Sequence, residues 1–165
     1  MISQNFSTPL GLLQLSARSG RLVGLRFGVE HDIDFAPSFA DPEDQAILDE
    51  ACRQLDQYFA GQLQRFDVPV ALQGTPFQLK VWSMLYRIPF GQMVSYNQMA
   101  EALGQGCARS VGSANAANPL PIFLPCHRVI ASDGTLGGYS GGLEAKQSLL
   151  DLEYATSDLF ASAAG

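Results

Sequence analysis

The sequence predicts an α+β chain in two parts: a small α/β domain over residues 1–74, then a helical domain over 75–165 that contains a helix-turn-helix. Three observations predict it. Residues 10–15 and 21–27 are short apolar runs separated by ARSG, the pattern of an antiparallel hairpin, and a single amphipathic helix follows them. The composition changes after Gly74, where successive helix-start signals begin. Within that second part, two short helical patterns are joined by the loop GQGC, as in a helix-turn-helix.

The elements follow in order. LGLLQL (10–15) and RLVGLRF (21–27) read as the two hairpin strands. Residues 30–40 are acidic and irregular. Asp41 can cap a helix that Pro42 starts and that Glu43 and Asp44 favour at its positive end; Ile47, Leu48, Ala51, Leu55, Tyr58 and Phe59 recur at helical spacing until Gly61. FDVPVAL (66–72) reads as a further strand. Thr75-Pro76 opens a helix with Phe77, Val81, Trp82 and Leu85 on one face. Ser95, with Gln98 three residues on, forms a capping box for the next helix, which Gly104 ends. ARSVGSANAA (108–117) is a helix of small residues, broken at Asn118-Pro119. PIFLPCHRVI (121–130) reads as extended and buried. The glycine-rich loop SDGTLGGYSGG (132–142) leads to a last helix through Leu143, Leu149, Leu150 and Leu152, with a frayed tail from about Ala155.

Composition excludes several classes of function. With 47 % hydrophobic and 16 % charged residues, the 165-residue chain can bury a core and is not a disordered tail. Three separated cysteines and two distant histidines predict neither a disulfide framework nor a structural zinc site. No apolar run approaches the length of a membrane span, and MISQNFSTPL lacks the features of a secretory signal, so a reducing cytoplasm is expected. A net charge of −6 argues against indiscriminate polyanion binding, yet Gln78 to Arg128 carries Lys80, Arg87, Arg109 and Arg128 against Glu101 alone. That stretch is where a nucleic-acid surface is expected.

Pro125-Cys126-His127-Arg128 is the densest chemical constellation. A thiol is a strong nucleophile only as thiolate, which needs a nearby base or cation. In an extended segment neighbouring side chains point to opposite faces, so His127 would reach Cys126 through a water or be turned by another residue. A cysteine simply buried in an apolar strand is the competing reading. Arg109 projects from a helix whose Ala108, Gly112, Ala114, Ala116 and Ala117 leave almost no bulk. Such a helix permits close approach of a rigid partner such as a duplex groove, where arginine can stand in for a displaced base; burial against a neighbouring element is the alternative. The glycine-rich loop lacks a terminal GK[ST] and reads as a pocket wall, not a phosphate cradle.

TPFQLKVWSMLYRIPFGQMVSYNQMAEALG, then ARSVGSANAANPLPIFLPCHRVIASDGTLGGYSGG, then LLDLE, over about residues 75–154, resemble the O6-alkylguanine-DNA alkyltransferases, the methylated-DNA–protein-cysteine methyltransferases. The order NP, PCHRV and YSGG after SY and ARSVG carries the specificity. The resemblance implies a ribonuclease-H-like sheet plus helix in the first domain and a winged-helix-like second domain. It implies a monomeric, single-turnover repair protein that needs no cofactor or metal. The expected partner is double-stranded DNA carrying O6-alkylguanine; O4-alkylthymine is a possible second substrate.

The same resemblance assigns site residues. Cys126 would accept the alkyl group, His127 act as base through a water with Glu153 orienting it, and Asn118 hold the cysteine loop. Tyr96 would donate to guanine N3. The Val129 carbonyl and Ser140 amide would read the guanine edge, with Pro121 and Tyr139 as walls. The helix bearing Ala108, Arg109, Gly112 and Ser113, with Ser95 beside it, would enter the minor groove, and Arg109 would replace the flipped base, whose extrusion costs a few kcal/mol.

Asn115 and Ala116 stand where relatives often have bulkier or basic side chains, which with the net charge implies weaker, more salt-sensitive DNA affinity. Three other readings compete. A lesion-binding module without transfer would lack the need for Cys126. A Cys-His acyl-transfer enzyme needs a better-placed second histidine than His31. A plain helix-turn-helix protein would read the major groove, which the slim helix disfavours.

Overall fold

The computed structural model describes residues 1–29 and 40–164, with side chains described as far as Ser157. The irregular acidic segment expected over 30–40, with His31, therefore lies almost wholly outside the described residues. The chain forms two compact units, Met1–Leu72 and Gln73–Gly165.

In the first unit β1 (Ile2–Thr8), β2 (Gly11–Arg18) and β3 (Arg21–Phe27) form an antiparallel sheet in that order. Leu13, Leu15 and Ala17 alternate along β2 onto one fully buried face, as the two-residue period of a strand requires. The β2–β3 turn places Ser19 and Gly20 at φ +53° and +66°, the two positive angles whose twist suits a two-residue hairpin. α1 (Pro42–Phe59) lies on the sheet through Leu48, Ala51, Leu55 and Tyr58. Asp41 caps it by accepting from the Glu43 amide at 3.0 Å. Its buried Asp44 accepts from the Gly20 amide at 2.8 Å, tying the helix start to the hairpin.

Two expectations for this unit need correction. β1 was not foreseen: ISQNFST is mostly polar and half-buried, so no apolar run marks it. Residues 66–72 do not form a strand. Only Val70 bridges Leu22, because Pro69 has no N–H to extend a ladder. Gln54 holds the segment instead, accepting from the Asp67 amide at 2.8 Å and donating to its carbonyl at 3.1 Å.

The second unit contains α2 (Pro76–Leu85), β4 (Val94–Ser95), α3 (Tyr96–Leu103), α4 (Ala108–Ala116), a 3₁₀ turn (Cys126–Arg128), β5 (Val129–Ile130) and α5 (Leu143–Ala164). The expected capping box of Ser95 with Gln98 starts α3, and α2, which Thr75-Pro76 opens as expected, starts with a second box of Thr75 with Gln78. α4 packs on α2 and α3. The Trp82 indole of α2 donates to the Ala114 carbonyl at 2.8 Å, which satisfies a carbonyl near the end of α4. β4 and β5 pair in parallel, Val94 opposite Val129 and Ser95 opposite Ile130, and this places the start of α3 beside the segment that follows Cys126.

PIFLPCHRVI is buried as expected but is not extended throughout. Pro121 and Pro125 deny it a ladder, and Cys126–Arg128 turns into a 3₁₀ helix. The frayed tail is also corrected, since α5 continues to Ala164. Among the described residues no helix is long and apolar enough to cross a membrane.

Candidate active site

A cavity of about 540 Å³ opens in the second unit. Tyr96 enters it from the first residue of α3. Arg109, Gly112, Ser113, Asn115 and Ala116 line it from α4, Cys126 from the 3₁₀ turn, and Gly138, Tyr139 and Ser140 from the glycine-rich loop. Residues far apart in sequence converge because Asn118, two residues past the end of α4, folds the following segment back. The Asn118 side chain accepts from the Leu120 amide at 2.9 Å and donates to the Leu124 carbonyl at 2.9 Å. Inside this turn Ile122 holds φ +75°, a left-handed conformation that a β-branched residue rarely adopts.

Cys126 is 3 % exposed. Burial pushes its thiol up to about 11, against the stabilising effects of the Asn118 side chain, the Lys146 charge, and the amides of Cys126 and His127. Behind it His127 is fully buried, and its Nε2–H donates to Glu153 Oε1 at 2.6 Å. That bond fixes the tautomer and leaves Nδ1, which is buried and has no hydrogen-bond partner in the protein, as the basic nitrogen. Burial holds the His127 pKa below its ordinary value despite Glu153, so the ring is neutral.

Glu153 is the hub of this network. It also accepts from Arg128 Nε and Nη2, each at 2.9 Å, and from the Gly91 amide at 3.3 Å. Burial alone would raise its carboxyl; the bonds from His127 and Arg128 outweigh burial and hold it at about 2. Arg128 spends its remaining reach on the Ile88 carbonyl at 2.7 Å.

The structure places Cys126, Tyr96, Tyr139 and Ser140 at one cavity, with His127, Glu153 and Asn118 in the hydrogen-bond network around the cysteine turn. Arg109 is exposed on α4 at the cavity, with Gly112 and Ser113 one turn on; Ala108 is the first residue of that helix. Ser95 serves as the N-cap of α3. Val129 is buried next to the turn, and its carbonyl accepts from Lys146. Pro121 is buried and bridged to Leu124, and it does not line this cavity.

Two residues were missed as site members. Asn115 donates to the Cys126 carbonyl at 3.2 Å and lines the cavity with Tyr96. Lys146 is fully buried on α5. The available signal was a lysine on the buried face of α5, one turn before Leu149 and two before Glu153.

A family model described as 6-O-methylguanine DNA methyltransferase, ribonuclease-like domain, matches residues 1–72, and one described as 6-O-methylguanine DNA methyltransferase, DNA binding domain, matches residues 76–155. A methylated-DNA–protein-cysteine methyltransferase of Mycolicibacterium paratuberculosis is 45 % identical over 148 residues, 88 % of this chain and 88 % of its own. The constitutive one of Bacillus subtilis is 43 % identical over 150 residues, 88 % of this chain and 91 % of its own. Among solved structures, Mycobacterium tuberculosis OGT in complex with DNA is similar with a TM-score of 0.80 at 40 % identity, over 93 % of each chain.

Proposed function

The chain belongs to the 6-O-methylguanine DNA methyltransferase family, and from that membership and the cavity's geometry we propose that Cys126 takes the alkyl group from an O6-alkylguanine flipped out of duplex DNA. The protein repairs DNA by direct reversal, moving an alkyl group from the base to a protein cysteine. The observation that carries the residue assignment is a buried cysteine lining a cavity with room for an extruded base, beside a neutral histidine whose orientation a carboxylate fixes.

The chemistry follows from the bonds already described. Burial keeps Cys126 a thiol at rest. Its proton passes through one bridging water to His127 Nδ1, and Glu153 stabilises the imidazolium that forms. The thiolate attacks the alkyl carbon: the S–C bond forms, the C–O6 bond breaks, and its electron pair stays on guanine. Burial raises the Tyr96 pKa, so its hydroxyl is protonated at neutral pH and can donate to guanine N3 as that charge develops. Asn118 holds the cysteine loop, the Val129 carbonyl and Ser140 amide read the base edge, and Tyr139 forms a wall. The slim face of α4, with Ala108, Gly112 and Ser113, enters the minor groove beside Ser95, and Arg109 fills the gap in the stack. The protein works as a monomer in the cytoplasm. Because sulfur keeps the alkyl group, each molecule reacts once.

Cys126→Ser tests this. The variant should bind duplex DNA containing O6-methylguanine with wild-type affinity and leave the lesion intact, measured by gel shift and by nucleoside analysis of the recovered DNA. Consumption of the lesion by the serine variant would mean that another group accepts the alkyl. Retention of binding without transfer also separates this reading from a lesion-binding module, since wild type should remove one lesion per molecule.

A further inference from the structure

Two cations are buried in the second unit, and they are treated differently. Arg128 faces Glu153. Lys146, 0 % exposed, forms no ion pair with a carboxylate among the described residues. It also sits near the N-terminus of α5, the end whose dipole disfavours a cation. A buried ammonium with no counter-charge is costly, so its retention needs a reason.

The surroundings supply one. The Lys146 ammonium donates to the Val129 carbonyl at 2.7 Å, to the Leu136 carbonyl, and to the Gly138 carbonyl at 3.3 Å. It lies 5.9 Å from the centre of the Tyr96 ring. One donor group therefore holds three chain positions: the proposed guanine-reading carbonyl of Val129 and two carbonyls of the glycine-rich loop. The ionisable groups around it are Cys126, Tyr96, Tyr139, His127 and the Arg128–Glu153 pair. Glu153 is already committed to Arg128 and His127, and the tyrosines stay protonated. Only Cys126 can become the missing anion.

We propose that Lys146 is the counter-ion of the Cys126 thiolate and, through its three carbonyls, the latch that holds the glycine-rich loop against the cavity until the sulfur is alkylated. This rests on Cys126 being the acceptor. When the S–C bond forms, the sulfur's negative charge leaves with guanine, which takes up a proton, and a neutral thioether remains. Lys146 is then a buried cation facing no charge, next to a site with added bulk. Its grip on the Leu136 and Gly138 carbonyls becomes the weakest point of the unit, and the loop is released. Alkylation thus destabilises the spent protein through charge as well as size. Burial depresses the Lys146 pKa and the charge of an ionised Cys126 opposes this, which agrees in sign with such a pair.

The test uses the full-length protein and free O6-benzylguanine as probe, in single turnover across a pH series, with wild type, Lys146→Met and Lys146→Arg. Loss of the charge should slow Lys146→Met about ten-fold or more at neutral pH, with the deficit closing as pH rises into the range where the thiol ionises unaided. Lys146→Arg should retain most of the rate. A Lys146→Met profile superimposable on wild type overturns the proposal, whereas absence of transfer by wild type itself would instead overturn the assignment of Cys126. Should Lys146→Met fail to fold, wild type alone decides. Amide exchange across residues 132–142 should quicken about ten-fold after methylation while α1 is unchanged; equal exchange before and after overturns the latch.

Discussion

Glu153→Ala is expected to destabilise the second unit by about 3–5 kcal/mol, because it removes one partner of a buried charge pair and leaves the other behind. The carboxylate accepts from His127, twice from Arg128, and from the Gly91 amide; alanine strands all of these donors, one of them a guanidinium, where water cannot reach. Denaturant unfolding would measure the loss. Glu153→Gln keeps the volume but turns an N–H₂ toward existing donors, so it should unfold more easily than wild type and lose most of its transfer rate, since His127 is no longer fixed with Nδ1 as its basic nitrogen.

The same carboxylate sets the acid limb of stability. Its folded pKa, about 2, lies below the ordinary 4.5, so its contribution of about 3 kcal/mol is present above 4.5 and disappears as pH falls toward 2. The depressed pKa of His127 acts in the same direction, because the unfolded chain takes up the proton first. Wild type should therefore lose stability steeply in acid, and Glu153→Gln should show a flatter profile from a lower starting point. Equal acid limbs in the two proteins would show that Glu153 is not the responsible group.

The other large effect belongs to Arg109. Arg109→Ala should react with free O6-benzylguanine at close to the wild-type rate, because that residue is exposed at the edge of the cavity and touches neither Cys126 nor the His127–Glu153 pair in any hydrogen bond. In duplex DNA the rate should fall by about ten- to a hundred-fold, as the cost of holding a base out of the stack, a few kcal/mol, is no longer offset by the arginine that takes its place. Single-turnover rates on the two substrates give the comparison directly. Unchanged duplex repair would mean that another group holds the gap open. With few basic residues around α4 and a net charge of −6, duplex repair should also fall faster with added salt than reaction with the free base.

Much of the site could be read from the chain because its elements begin with local signals. Asp41-Pro42, Thr75-Pro76 with Gln78, and Ser95 with Gln98 each fix a helix start by bonds within four residues, and all three form. The PCHRV motif and the small-residue helix needed no tertiary information to stand out. What stayed hidden depends on contacts distant in sequence. The edge strand β1 is legible only through its partner β2. The apolar run at 121–130 matches a buried strand as well as a turn, and the prolines decide it only once Asn118 is seen folding the chain back. Lys146 looks like an ordinary surface lysine until three carbonyls of other segments close around it. An extended chain would turn Cys126 and His127 to opposite faces and require a water between them; the turn is 3₁₀, yet the free Nδ1 with Nε2 held by Glu153 supports the same route by a different geometry.

The central claim is that one buried sulfur becomes an anion and is aimed into the cavity. Incubation with one equivalent of duplex DNA bearing O6-methylguanine, followed by proteolysis and mass mapping, tests it most directly. The expected result is a single added CH₂ per molecule, confined to the peptide that contains Cys126, with no further repair when fresh DNA is supplied. An adduct on Cys52 or Cys107, no adduct at all, or continued turnover would contradict the account.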